Sequence, residues 1–102
     1  MIISDEAKEK IKKYALKNPN EEVCGFIEDG EVYSCKNLSN NPKYHFLLNP
    51  VLLIEKDVSC IYHSHVIGTC KPSKTDIIFQ KQISVPFLIY GLIDDSFYFL
   101  NN

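Results

Sequence analysis

From residue 4 to residue 17, Ala7, Ile11, Tyr14 and Ala15 recur at helical spacing, with lysines and glutamates between them. Ser4 is a cap, Asp5 and Glu6 suit the positive end, and Asn18-Pro19-Asn20 is a stop, so this pattern predicts a helix over 4–17. An apolar run over 23–27 reads as a strand, Glu28-Asp29-Gly30-Glu31 as a hairpin turn, and 32–37 as the returning strand. A polar loop, Ser39-Asn40-Asn41-Pro42, leads to a short apolar element over 44–48. Asn49-Pro50 then opens a second, shorter helix that runs to about Lys56. Residues 59–65 alternate as a strand does, a loop containing Gly68 and Pro72 follows, and a third helix begins at Ser73 and ends near Gln82. Two closing strands, over 87–93 and 97–100, are joined by a hairpin at Asp94-Asp95-Ser96. There is no internal repeat, low-complexity tract or linker, and the expected class is α+β: a mostly antiparallel sheet with helices packed on it.

Length and charge narrow the function classes. A chain of 102 residues is one domain's worth, so 1–102 is expected to be a single domain, and 45% hydrophobic residues suffice for a packed core. The net charge of −2 and a pI near 5.9 argue against a nucleic-acid partner; Lys8, Lys10, Lys12, Lys13 and Lys17 read as the wet face of the first helix rather than a phosphate-binding stripe. No apolar run approaches the roughly 18–20 residues that cross a bilayer; the longest, over 85–93, is interrupted by Pro86 and Gly91. The first residues carry no basic segment followed by an apolar stretch of signal-peptide length. The expectation is a chain with no membrane partner, located in the cytoplasm, or associated with a virion if phage-encoded. Cys24, Cys35, Cys60 and Cys70 show no zinc-knuckle spacing; the first three lie in strand-like apolar surroundings and read as small buried hydrophobes, while Cys70, in a loop, is expected to be exposed.

The stretch that carries chemistry is Ile61-Tyr62-His63-Ser64-His65, then ten residues, then Asp76. Side chains two apart on a strand share a face, so His63 and His65 can present both imidazoles to one point. Asp76, in the first turn of the helix that starts near Ser73, is placed to add a carboxylate. Two His and one carboxylate leave a fourth position for water, the layout of a hydrolytic zinc site. Cleaving an amide also needs a proton shuttle, and Glu22, at the mouth of the strand over 23–27, is the candidate; Glu21 points the other way if the strand begins there. Pro72-Ser73-Lys74-Thr75-Asp76 is a helix-start signature with Ser73 as the cap, and Ser73 can equally donate a hydrogen bond to a developing oxyanion. The bland reading of a His-x-His pair is a set of satisfied core hydrogen bonds. His45, between Tyr44 and Phe46, reads as a packed or surface histidine before a ligand or substrate contact, and Phe87, Tyr90, Phe97, Tyr98 and Phe99 read as core or edge packing before a binding face.

At these residues the sequence resembles the JAMM (MPN-plus, JAB-type) metallopeptidases, whose signature is a Glu, a later His-x-His, then ten residues and an Asp, with a Ser three before that Asp. Glu22, His63-Ser64-His65, Ser73 and Asp76 keep every spacing, and Glu22-Val23-Cys24-Gly25 and Pro72 to Asp76 match its accessory features. The resemblance implies a cytidine-deaminase-like fold, a curved, mixed, mostly antiparallel sheet flanked by helices. It also implies one zinc ion per chain on His63, His65 and Asp76, with Glu22 carrying the proton from water to the leaving nitrogen and Ser73 steadying the tetrahedral intermediate. Val66 stands where many relatives have Pro, and the chain is too short for the insertions with which eukaryotic relatives grip ubiquitin chains. The compact form resembles bacterial and phage-type members, and 85–90 resembles a strand of phage tail-assembly proteins, in which this domain often accompanies an NlpC-type cell-wall peptidase. Three functions follow as expectations: a peptidase or isopeptidase acting near the tail of a ubiquitin-like or other small protein, a phage tail-assembly or cell-wall-associated peptidase, and a non-catalytic scaffold.

Overall fold

The computed structural model describes residues 3–102. Its elements in chain order are α1 (Asp5–Lys17), β1 (Cys24–Glu28), β2 (Glu31–Cys35), α2 (Leu52–Glu55), β3 (Cys60–His65), α3 (Lys74–Ile83), β4 (Phe87–Gly91) and β5 (Ser96–Leu100). The strands form one mixed sheet in the order β2-β1-β3-β4-β5. Three of its pairings are antiparallel; β3 and β4 run parallel, with α3 as the crossover between them. Parallel neighbours need such a crossover, and its first turn necessarily begins near the end of β3.

Period-two alternation sorts the core into two layers. Ile11 and Ala15 of α1 pack with Tyr62, Leu88 and Tyr90 on one face of the sheet. On the other face Ile61, Phe87 and Ile89 meet Ile77, Phe79 and Ile83 of α3. His63 and His65 share the parity of Ile61 and therefore face α3. Because both faces are covered, every residue of β3 is buried. No helix among the described residues is long and apolar enough to cross a membrane.

Local chemistry explains the boundaries. Ser4 caps α1 by accepting the Ala7 N–H at 3.1 Å. Asp29 and Gly30 both take positive φ, 51° and 80°, as a tight two-residue hairpin requires, and Glu28 pairs with Glu31 across it.

Several expectations are corrected. The second helix is a single turn, Leu52–Glu55, because Asn49 and Pro50 accept tight i+3 bonds from Leu52 and Leu53 and α2 buries no residue that would extend it. The apolar segment 44–48 has no regular structure, although Leu48 is buried within the core. The strand expected to reach Ile93 ends at Gly91, and a four-residue turn over 92–95 connects it to β5. Cys70 is buried rather than exposed, because its loop folds back against the end of β4 beside Gly91.

Gly25 is required by close approach. A Cβ there would collide with the Tyr33 carbonyl oxygen and lie 2.7 Å from Cε2 of Tyr62, whose hydroxyl donates to that same carbonyl at 3.1 Å. Gly25→Ala is expected to destabilise the protein by about 3 kcal/mol in urea unfolding; a loss under about 0.5 kcal/mol contradicts this packing.

Candidate metal centre

β3 delivers two imidazoles to the α3 side at its C-terminal end, and α3 returns a carboxylate to the same place. His63 Nε2 lies 3.1 Å from Asp76 Oδ1, and His65 Nε2 lies 3.1 Å from Asp76 Oδ2. The ligand-capable atoms of His63, His65 and Asp76 all fall within 4.8 Å of one another, and all three residues are buried. Bonds of about 2.0–2.1 Å to a tetrahedral ion put neighbouring donor atoms about 3.3 Å apart. The observed separations from the carboxylate are close to that value.

Surrounding groups fix each donor. The His65 ring presents Nδ1 to the Thr69 carbonyl oxygen at 2.7 Å; only an N–H can approach a carbonyl so closely, so Nδ1 carries the proton and Nε2 faces Asp76. In neutral His65 the Nε2 lone pair then confronts a carboxylate oxygen, acceptor against acceptor. His63 is fully enclosed, with Phe46 stacked on its ring at 4.1 Å and Phe87 edge-on at 5.8 Å. Neither of its ring nitrogens has a hydrogen-bond partner among the described residues, since Nε2, though near Asp76 Oδ1, is not aligned to donate to it. An enclosed unpaired nitrogen and an opposed pair of acceptors are both relieved by one cation between them. The donor set therefore fits a divalent metal ion. Two imidazoles and one carboxylate leave room for further ligands.

Asp76 is held from behind by a capping box. The Ser73 Oγ accepts the Asp76 N–H at 3.0 Å, and Asp76 Oδ2 accepts the Ser73 N–H at 3.0 Å. Ser73 thus caps α3, as one of its two readings expected, while its hydroxyl proton remains free and it lines the same cleft as Asp76. Burial by itself would raise the Asp76 carboxyl, but the two imidazoles and the Ser73 N–H outweigh it and hold the group well below its usual range. Burial lowers His63 despite the neighbouring carboxylate. For His65 burial pulls the same way, yet Asp76 and the Thr69 carbonyl prevail and the net direction is upward.

Glu22 arrives from the other side. β1 runs antiparallel to β3 with Cys24 opposite His63, so the register continued two residues outward sets Glu22 opposite His65. The last rung is unusual: Ser64 N–H donates to the Val23 carbonyl at 2.9 Å, while Val23 N–H donates to the Ser64 hydroxyl at 2.9 Å. The neighbouring Glu22 is fixed through its own backbone, donating to Pro42 at 2.7 Å and accepting from Asn37 at 2.9 Å. The residue is 6% exposed, and burial pushes its carboxyl pKa up to about 8, against the pull of His65. Glu21 is exposed and lies ahead of β1, which begins only at Cys24.

These groups open on a cleft of about 350 Å³ lined by Glu22, His65, Ser73 and Asp76. Tyr44, His45, Phe46 and Thr69 also line it; sequence reasoning offered His45 as a substrate contact only as its lesser reading and gave the other three no place there. The cluster of three ring side chains at 44–46 was the visible signal; nothing local announced the Thr69 carbonyl or the role of Ser64. His45 is exposed at this cleft rather than part of the buried cluster.

No family model matches the chain, and no curated protein matches it. Among solved structures, it is similar to the solution structure of protein DSY2949 from Desulfitobacterium hafniense, a structural-genomics target. The TM-score is 0.71 at 22% identity, covering 94% of this chain and 78% of that one. That likeness concerns the fold: a small α+β architecture with a five-stranded mixed sheet flanked by helices.

The raised Glu22 carboxyl has a signed consequence. The unfolded chain releases this proton near pH 4.5 and the folded chain near 8, so the metal-free fold loses stability from this group as pH rises between those values. Glu22→Gln is expected to remove that component, making metal-free protein more stable than wild type at pH 8 and similar at pH 4. Chemical denaturation of the two across this range checks it, and parallel curves contradict it.

Proposed function

We propose that this chain is a zinc-dependent hydrolase of peptide or isopeptide bonds, of the JAMM type, with the JAB/MPN form of the α+β fold. One observation carries the reading: His63, His65 and Asp76 come together beside a cleft that His65 and Asp76 line with buried Glu22, in the order and spacing of that family's signature. The same three donors suit ferrous iron as well; Glu22, a carboxylate beside the donors rather than among them, favours hydrolysis.

His63, His65 and Asp76 would hold the ion, which would supply Lewis acidity and bring the pKa of bound water down to about 7. The remaining work belongs to the protein. Glu22, buried at the cleft beside the donors, accepts a proton from the attacking water and returns it to the leaving nitrogen. Ser73 spends its oxygen lone pair on the Asp76 N–H, so its free hydroxyl proton is available to a carbonyl oxygen gaining negative charge. Thr69 keeps His65 in the tautomer that turns Nε2 inward. Phe46 and Phe87 close the far side of His63 against water. The substrate is a protein or peptide with an extended segment that can enter the cleft, such as the tail of a ubiquitin-like protein.

Zinc-loaded wild type is expected to cleave members of a panel of tailed ubiquitin-like fusions and cell-wall peptides. Glu22→Gln should lose about 10²–10⁴-fold in rate while retaining zinc and fold. Equal rates for the two proteins on a cleaved substrate contradict the role of Glu22, and a wild type that binds no zinc contradicts the reading as a whole.

A further inference from the structure

The donor His65 depends on a main-chain carbonyl, that of Thr69, at 2.7 Å. Residues 66–73 have no regular secondary structure, so something outside this loop must hold that carbonyl in place. The turn over 92–95, which follows β4, meets the loop at this point. Gly91 is the register partner of His65 in the sheet, and Leu92 N–H donates to the His65 carbonyl at 3.2 Å. A Cβ on Gly91 would lie 2.5 Å from the Cys70 nitrogen and 2.9 Å from the Thr69 carbonyl carbon, and would strike Asp94 Oδ1. The absence of a side chain at Gly91 is therefore what lets the Thr69-Cys70 peptide lie down on the end of β4. Asp94 then takes hold of it, Oδ2 accepting the Cys70 N–H at 3.3 Å.

The turn is itself anchored. Asp95 takes a left-handed φ of 49°, accepts the Tyr90 hydroxyl at 2.7 Å, and pairs with Lys12 of α1 at 2.9 Å. A connected set of contacts thus runs from α1 through Asp95 and Asp94 to the peptide whose carbonyl orients His65.

We propose that Gly91 and Asp94 form a seat for the Thr69-Cys70 peptide and that Asp94 is a positioning residue for His65. It touches neither substrate nor ion and acts by fixing the carbonyl that sets the His65 ring. Its effect on zinc rests on the proposed metal reading; its effect on the His65 ring does not. Outer partners of metal-binding histidines typically contribute about 10–100-fold in affinity. A group one bond further out should sit at the lower end.

Wild type, Asp94→Ala and Asp94→Asn are compared by two readouts: zinc affinity in competition with a chromophoric chelator, and ¹⁵N–¹H NMR of the His65 ring in metal-free protein. Asp94→Ala is expected to weaken zinc binding about tenfold and to broaden or shift the His65 Nδ1–H signal. Asp94→Asn, which keeps an acceptor oxygen, should restore both. Asp94→Ser, too short to reach the Cys70 N–H, replaces the alanine variant should that one fail to fold. An unchanged His65 signal in Asp94→Ala, or an Asn variant as impaired as the Ala variant, overturns the proposal. If wild type binds no zinc, the hydrolase reading fails, and the ring signal still decides the role of Asp94.

Discussion

The Asp76 carboxylate, enclosed with the imidazoles of His63 and His65, is the contact around which the rest of the site is arranged. Asp76 cannot turn away, because the capping box of α3 holds its Oδ2. His65 cannot present its N–H to Asp76 while remaining neutral, because that proton is already given to Thr69. His63 cannot reach water, being wholly enclosed by Phe46, Phe87 and its neighbours. Protonating His65 satisfies one of these contacts and leaves the His63 nitrogens unpaired. A divalent cation would satisfy all three donors together.

The topology sets this constraint at a particular place. Ligand sites in sheets with parallel neighbours gather at the C-terminal ends of strands, where a crossover helix begins. The single parallel pair here, β3 with β4, creates one such end and brings the first turn of α3 beside it. Because β1 runs antiparallel to β3, its beginning lies at the same end, which carries Glu22 to the cleft without an extra loop. The donors thus come from one strand and one helix terminus, and the buried carboxyl from the adjacent strand. Burial at that end is also what raises the Glu22 carboxyl above its ordinary range.

Much of this was legible in the sequence. The lysine-studded helix, the Asp29-Gly30 hairpin and the His-x-His strand appear where periodicity and turn chemistry put them. His63 and His65 share a face because strand alternation is strict, and Asp76 is near them because a crossover helix must start close by. Other features depend on contacts between distant residues. The segment 44–48 has the hydrophobicity of a regular element, but it is spent on covering His63 through Phe46 and on filling the core with Leu48. Cys70 looked like a loop residue open to solvent, and is buried because Gly91, twenty-one positions away, makes room for it. The Thr69 carbonyl is backbone, which no side-chain pattern can mark, and Ser64 bonds across strands in a way that alternation does not foretell.

The most direct test is X-ray absorption spectroscopy at the zinc edge on protein carrying one equivalent of zinc. The account predicts four or five nitrogen and oxygen ligands, with scattering from two imidazoles, at about 2.0–2.1 Å. It also predicts loss of that imidazole signal in His63→Ala. A shell containing sulfur at about 2.3 Å, or one made only of oxygen, would contradict it.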